Sequence, residues 1–195
     1  MLYNRFFARK SEIMKLRVPI VKTSLDISSW FLVRGRSAGK EITHKKLQYL
    51  MYLAYGNYFI EKFDSKLIPV TFILSKVGPI EPNIFQLFGK VNLADLGNDL
   101  PGNVEKYLLN IWKKFEDFES DELELIITKN KVWGQISLQP IGTQITDDLI
   151  IKSFVNDDQI KKNIYNNIVD DEKEYWTLSG KKAERWIPGL SKKNK

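Results

Sequence analysis

The clearest hydrophobic pattern lies in residues 42–64, "ITHKKLQYLMYLAYGNYFIEKFD". Apolar side chains recur there at steps of three and four, at Leu47, Leu50, Met51, Ala54, Tyr55 and Tyr58. This spacing places them on one face of a long helix, and the run is too long for a strand. Thr43 is suited to cap its N-terminus. Because glycine disfavours a helix interior, Gly56 predicts close packing against a neighbouring element.

Four shorter segments also show helical spacing. We expect a helix after Ser24 as N-cap with Gly35 as its end, and a second helix over residues 101–118. A third begins at Ser120, followed by the acids "DE" that favour a helix N-terminus. The fourth is the short segment "ITDDLIIKSF", with Thr146 as its cap.

One stretch, "LIPVTFILSK", instead suits an extended strand, because it is short, rich in β-branched residues and bounded by Pro69 and Gly78. The next residues, "VGPIEPNIFQLF", predict a turn at Gly78 and Pro79 that leads into a helix beginning at Pro82.

These elements predict a mainly α fold: a compact multi-helix domain with a short extended or β segment around residues 67–76. Residues 1–22 form a basic N-terminal arm in this interpretation. Residues 23–155 form the helical domain, and residues 156–195 a C-terminal extension with a basic tail. Trp176 and Trp186 in that extension are candidate interface residues.

Charge and composition add limits to this picture. The net charge is +6 and the basic residues concentrate in residues 5–22 and 181–195, so nucleic acid is a possible partner of the termini. There is no cysteine, which excludes disulfides and thiolate metal sites and fits the cytoplasm. The apolar runs are less than half of the roughly 18 residues that a membrane span needs, so we expect no membrane association.

Catalytic patterns are weak throughout the chain. The segment "GRSAGKE" has three residues between its glycines and Glu41 after the lysine, whereas a phosphate-binding loop needs four and a Ser or Thr. The single histidine, His44, is predicted to be solvated in the first turn of a helix. Acid pairs such as Asp147 and Asp148 predict a solvated face, since adjacent acids diverge on a helix. We expect no enzyme activity, no cofactor and no metal.

The order of these segments resembles the Panacea domain of SocA-like, phage-associated antitoxins, over roughly residues 24–155. Lys46, Leu47 and Gln48 match the start of that family's helical motif, with Tyr49 where a second Lys is usual and Tyr52 at the aromatic position. Gly78 and Pro79 match a Gly-Pro that continues here with Ile80 and Glu81 before Pro82. Trp133 matches the Trp that ends a "Leu-Glu" helix, although "TKNKVW" lacks the usual His.

The resemblance implies an antitoxin-like protein that binds and neutralises a toxin encoded nearby, or acts as an adaptor for it, by stoichiometric protein–protein contact. Its implied partner-binding residues are Lys46, Gln48, Tyr52, Gly78, Pro79, Glu81 and Trp133. An alternative hypothesis is a nucleic-acid-binding regulator that uses the basic terminal arms. A third is a hydrolase that depends on His44 or an acid pair.

Overall fold

The computed structural model describes residues 17–62 and 65–154. This part of the chain contains seven α-helices and a single 3-10 turn, Leu93–Asp95. The helices are α1 (Ser24–Ser37), α2 (His44–Glu61), α3 (Pro82–Leu87), α4 (Gly102–Phe115), α5 (Ser120–Thr128), α6 (Lys131–Ile136) and α7 (Asp147–Phe154). The predicted mainly α, compact fold is therefore confirmed.

Five short strands form two small sheets. They are β1 (Val18–Pro19), β2 (Ser65–Lys66), β3 (Phe72–Ser75), β4 (Gly78–Ile80) and β5 (Gln144–Ile145). Strands β1 and β2 pair in parallel, while β3 pairs antiparallel with both β4 and β5, so that β4 is an edge strand.

Helix α2 runs through the centre of the fold. Thr43 caps it as predicted, since its Oγ1 accepts a hydrogen bond from the Lys46 amide at 3.2 Å. Every residue from Lys46 to Gly56 is buried, which is typical of a helix surrounded on all sides by other elements. The elements around it are α1, α3, α4, α5, α7, β2 and β4. The one-sided apolar face predicted from the sequence is thus only part of its buried surface.

Gly56 lies at a point of close contact between α2 and α7. A Cβ atom at Gly56 would lie 2.2 Å from the nearest ring carbon of Phe154. The prediction that this glycine marks close packing is confirmed.

Helix α1 differs from its predicted bounds. Its cap is Thr23 rather than Ser24, because Thr23 Oγ1 accepts from the Asp26 amide at 3.3 Å. The helix continues through Gly35 to Ser37. A side chain at Gly35 would meet Ile42 at 2.6 Å, so this glycine serves packing, and Gly39, with φ +66°, takes the left-handed conformation after the helix.

The extended segment is shorter than residues 67–76, because only Phe72–Ser75 form a strand within it. Residues Lys76 and Val77 form the turn, and Gly78–Ile80 return as strand β4 rather than forming the turn themselves. Pro79 is tolerated there because β4 is an edge strand, in which the missing amide costs no ladder bond. Pro82 begins α3 as predicted.

The segment that resembles a single helix ending in Trp is divided in two. Helix α5 ends at Thr128, and Asn130 caps a separate helix α6, which carries Trp133. Asn130 Oδ1 accepts from the Trp133 amide at 2.8 Å. Asn130 therefore redirects the chain between the two helices.

The end of the predicted basic arm belongs to the folded body. Val18 and Pro19 pair with β2, Val21 is buried, and the Arg17 guanidinium lies 4.9 Å from the Phe59 ring centroid. Trp176, Trp186 and the tail lie outside the described residues. Within residues 17–62 and 65–154, none of the helices has the length and apolarity to cross a bilayer.

Candidate functional site

Four of the seven predicted site residues meet where β4 turns into α3; we name Gly78–Pro82 the corner. Gly78 has φ +100°, a conformation that L side chains rarely adopt. A Cβ there would also lie 3.1 Å from the Tyr49 ring. The Tyr49 hydroxyl donates a hydrogen bond to the Val77 carbonyl, and Ser75 Oγ donates to the Gly78 carbonyl at 2.8 Å. Only glycine satisfies both constraints at this position.

Gln48 joins α2 to the corner through two hydrogen bonds. Its Oε1 accepts from the Glu81 amide at 2.7 Å, and its Nε2 donates to the Glu81 carbonyl at 3.4 Å. Both residues are buried. A buried backbone amide and carbonyl are costly without partners. The Gln48 side chain therefore supplies both hydrogen bonds that a neighbouring strand would otherwise make with the backbone of Glu81.

Glu81 is itself the N-cap of α3. Its Oε2 accepts from the Ile84 amide at 2.5 Å and its Oε1 accepts from Asn83 Nδ2 at 2.9 Å. The carboxylate is only 2% exposed, and these donors offset the cost of burying it. Glu81, the acid between the two prolines, is therefore a structural cap, and Gln48 joins its backbone to α2.

Tyr52 and Trp133 lie away from the corner, in the core. The Tyr52 ring packs edge-on against Phe72 at 5.1 Å and against Trp133 at 6.3 Å between ring centroids. Burial raises the pKa of Tyr52. The aromatic position of the motif thus anchors α6 and β3 to the central helix.

Lys46 lies on another side of α2, next to the end of α4. Its Nζ donates to the Glu116 carbonyl at 3.1 Å, which is favourable because helix C-termini attract cations. Two half-buried lysines reinforce this junction: Lys40 pairs with Asp117 at 2.5 Å, and Lys45 pairs with Glu124 at 2.6 Å. The lysines on this side of α2 therefore connect it to α4 and α5.

All seven predicted residues are buried. The structure brings Gln48, Gly78, Pro79 and Glu81 together, and it separates Tyr52, Trp133 and Lys46 from them. Direct contact of any of the seven with a partner stays a prediction. The four residues at the corner shape and fix it, and the other three hold α4, α6 and β3 against the central helix.

Two apolar side chains that the sequence interpretation missed are exposed on either side of the corner. Val77, at the tip of the β3–β4 turn, is 44% exposed, and Phe85, on α3, is 43% exposed. A signal for Phe85 was present: Ile84 and Phe85 are adjacent and therefore point in different directions on a helix of six residues, which cannot bury both. We name Val77, Phe85 and the adjoining His44 the corner surface.

His44 is less solvated than the sequence predicted, because its side chain is partly buried. Its ring lies 4.5 Å from the Phe85 ring and is nearly parallel to the Phe88 ring at 4.7 Å, with 8° between the planes. Its Nε2 is buried without a hydrogen-bond partner, and burial lowers the pKa of His44. The ring supports Phe85 as a neutral, largely apolar group.

The acidic residues of the described part of the chain lie apart from one another or in ion pairs with lysine. The described residues contain no group of three or more His, Cys, Asp or Glu residues that could hold a metal ion. Asp147, predicted to be part of a solvated acidic face, instead accepts from the Tyr55 hydroxyl at 2.8 Å and pairs with Lys66 Nζ at 2.5 Å. Asp148 is exposed as expected, and the remaining acid pairs lie outside the described residues.

The chain matches no protein-family model, no curated protein and no solved structure. The resemblance to the Panacea domain stays a prediction, and the geometry of the corner has to support any proposal of function.

Proposed function

We propose that this chain is an antitoxin-like binding protein that neutralises a toxin, or serves as its adaptor, by stoichiometric contact and without catalysis. The observation that carries the proposal is the corner surface, where Phe85 is exposed on a short helix whose first residues are fixed by buried hydrogen bonds. In this proposal the pair forms in the cytoplasm, which suits a chain without cysteine.

The construction of the corner favours binding for an energetic reason. Ordering of interface side chains and loops opposes association, at a cost of about 0.5–1.5 kcal/mol for each side chain with many rotamers. Phe85 is held against His44, and α3 is tied to α2 through Gln48 and Glu81. A partner that buries Phe85 would therefore order little that is not already ordered.

The surroundings of the corner surface also resemble the anatomy of an interface, in which an apolar centre has a polar rim. Lys45, the residue after His44, pairs with Asp121 at 2.8 Å and with Glu124. Its Nζ also lies 5.8 Å from the Tyr49 ring centroid. Charged groups of both signs therefore lie close to the apolar side chains.

The test is a pull-down of the tagged full-length protein from lysate of its native host, washed at low and at high salt. We expect a single small protein to be retained stoichiometrically at high salt, and to arrest growth when it is expressed alone. Phe85→Ala should weaken retention by about fivefold or more, because truncating an aromatic anchor of an interface costs over about 1 kcal/mol.

Val18→Ala is the matched control. Val18 is 70% exposed and belongs to the sheet next to the C-terminal end of α2, whereas the corner surface adjoins the N-terminal end. An 18-residue helix separates the two ends by about 27 Å. Equal retention by both variants would refute the corner as the binding surface. Recovery of nucleic acid alone, lost at high salt, would favour the regulator hypothesis instead.

A further inference from the structure

A pocket of about 410 Å³ lies between α1 and the segment that follows α3. Its apolar walls are formed by Leu32, Ile42, Phe88, Val91 and Leu93. A volume of this size, with a mainly apolar lining and a few polar groups, is typical of sites for small organic molecules. The pocket adjoins the corner surface, because the Phe88 ring stacks on His44, but it shares no residue with that surface.

Hydrogen bonds fix one wall of the pocket to α1. Ser29 Oγ donates to the Ala94 carbonyl at 2.7 Å, and Asp26 Oδ1 accepts from the Asn98 amide at 2.9 Å. The same segment approaches α1 so closely that a Cβ at Gly97 would lie 2.4 Å from Ser29. This wall is therefore formed before a ligand arrives, and binding requires little ordering of it.

The opposite wall is the end of α1 and the residues that fold back over it. The Lys40 amide donates to the Gly35 carbonyl at 2.9 Å, and the Gly39 amide donates to the Arg36 carbonyl at 3.1 Å. These are the two hydrogen bonds of a Schellman motif. The Ile42 side chain lies where a Cβ at Gly35 would be, at 2.6 Å from it. Residues 40–42 therefore return beside the last turn of α1 and form one wall with it.

Three charged side chains line the pocket, and only one of them is in an ion pair. Lys40 Nζ lies 3.4 Å from a Glu116 carboxylate oxygen and 2.5 Å from one of Asp117. Arg36 and Glu41 line the same pocket, and within residues 17–62 and 65–154 neither forms an ion pair. The pocket therefore offers one cation and one anion beside apolar walls. Because these two charges cancel, it complements a molecule that carries one charge of each sign.

We propose that this pocket binds a free apolar α-amino acid such as leucine. Such a molecule carries a carboxylate, an ammonium group and an apolar side chain on a single carbon atom. The carboxylate pairs with the Arg36 guanidinium, which can donate two parallel hydrogen bonds to it, and the ammonium group pairs with Glu41. The apolar side chain lies against Ile42, Phe88 and Leu93. A fatty acid or a simple amine would leave one of the two protein charges without a partner.

The first test is an NMR titration of the full-length, ¹⁵N-labelled protein with L-leucine. It needs no toxin or other protein, so its outcome is independent of the proposed function. We expect saturable shifts of the backbone amides in residues 36–42 and 88–94. The dissociation constant should be about 1 mM or lower, which is within the range for a ligand of this size. The absence of saturable shifts in these two segments would overturn the proposal.

Two leucine derivatives test the two charges separately. Leucine amide lacks the carboxylate, and N-acetyl-leucine lacks the ammonium group. Each should bind about tenfold or more weakly than leucine, because it leaves one charged group of the pocket unpaired. Binding of either derivative as tightly as leucine would assign the pocket to a ligand with one charge or none, and would overturn the proposal.

Matched variants assign the roles to Arg36 and Glu41. Arg36→Ala should weaken leucine binding by about tenfold or more. Arg34→Ala is the control, because Arg34 is exposed in the same turn of α1 and does not line the pocket. Glu41→Gln should weaken the binding of leucine but not that of N-acetyl-leucine, which has no ammonium group to pair.

Unchanged amide signals of α2 in each variant serve as the check of folding. Equal affinities of Arg36→Ala and Arg34→Ala for leucine would overturn the proposal. A loss of N-acetyl-leucine binding in Glu41→Gln equal to the loss of leucine binding would also overturn it, because Glu41 would then not act through the ammonium group.

Discussion

Replacing Gly56 by alanine tests the packing of α7 on the central helix. In an ordinary helix interior this substitution stabilises by about 1 kcal/mol, because alanine has the higher helix propensity. Here the new Cβ would lie 2.2–2.4 Å from three ring carbons of Phe154. Carbon atoms cannot approach so closely, so the ring must move out of its position.

The two effects oppose each other, and their magnitudes decide the sign. Forcing an extra methyl group into a packed site costs about 1–3 kcal/mol. Because three ring atoms clash at once, we place the cost in the upper part of that range. After subtracting the propensity gain, Gly56→Ala should lower the free energy of unfolding by about 1–2 kcal/mol.

The decisive assay is a double-mutant cycle with Phe154→Ala, measured by urea denaturation of all four proteins. Without the ring, the obstacle is gone and Gly56→Ala should stabilise by about 1 kcal/mol. The sign of its effect therefore reverses between the two backgrounds, with a coupling of about 2–3 kcal/mol, as expected for residues in contact. If Gly56→Ala stabilises both backgrounds equally, the reasoning is refuted.

Three further predictions concern the corner. Gln48→Ala should lower the free energy of unfolding by about 1–3 kcal/mol in urea denaturation, because it leaves the buried Glu81 amide unpaired; a loss below about 0.5 kcal/mol would contradict this. Glu81→Ala should cost about 1–2 kcal/mol through loss of the α3 cap, and exposed Glu41→Ala, its control, should cost almost nothing. Burial lowers the folded-state pKa of His44, so the unfolded state binds the proton more tightly and stability should fall as the pH drops below about 6.5. Thermal melts from pH 7.5 to 5.5 should show a smaller fall in melting temperature for His44→Phe than for the unmodified protein. Identical pH profiles of the two proteins would refute the assignment of this pH dependence to His44.

The local elements of this protein follow from its sequence. The spacing of apolar residues after Thr43 predicts the central helix, and Thr43 and Pro82 fix two helix starts through hydrogen bonding and a preset φ. Gly56 indicates close packing because glycine is disfavoured inside a helix without a reason of that kind. Each of these signals acts over a few residues, so neighbouring residues contain enough information to interpret it.

Tertiary structure decides what those elements do. Sequence spacing cannot show that Gln48 reaches Glu81, 33 residues away, or that Gly78 begins a strand rather than a turn, because both depend on long-range pairing. It likewise cannot show that the Phe85 and Phe88 rings pack against His44, since burial of a side chain is set by what folds over it. The motif residues are therefore buried supports, and the exposed side chains of the corner surface became identifiable only once the chain was folded.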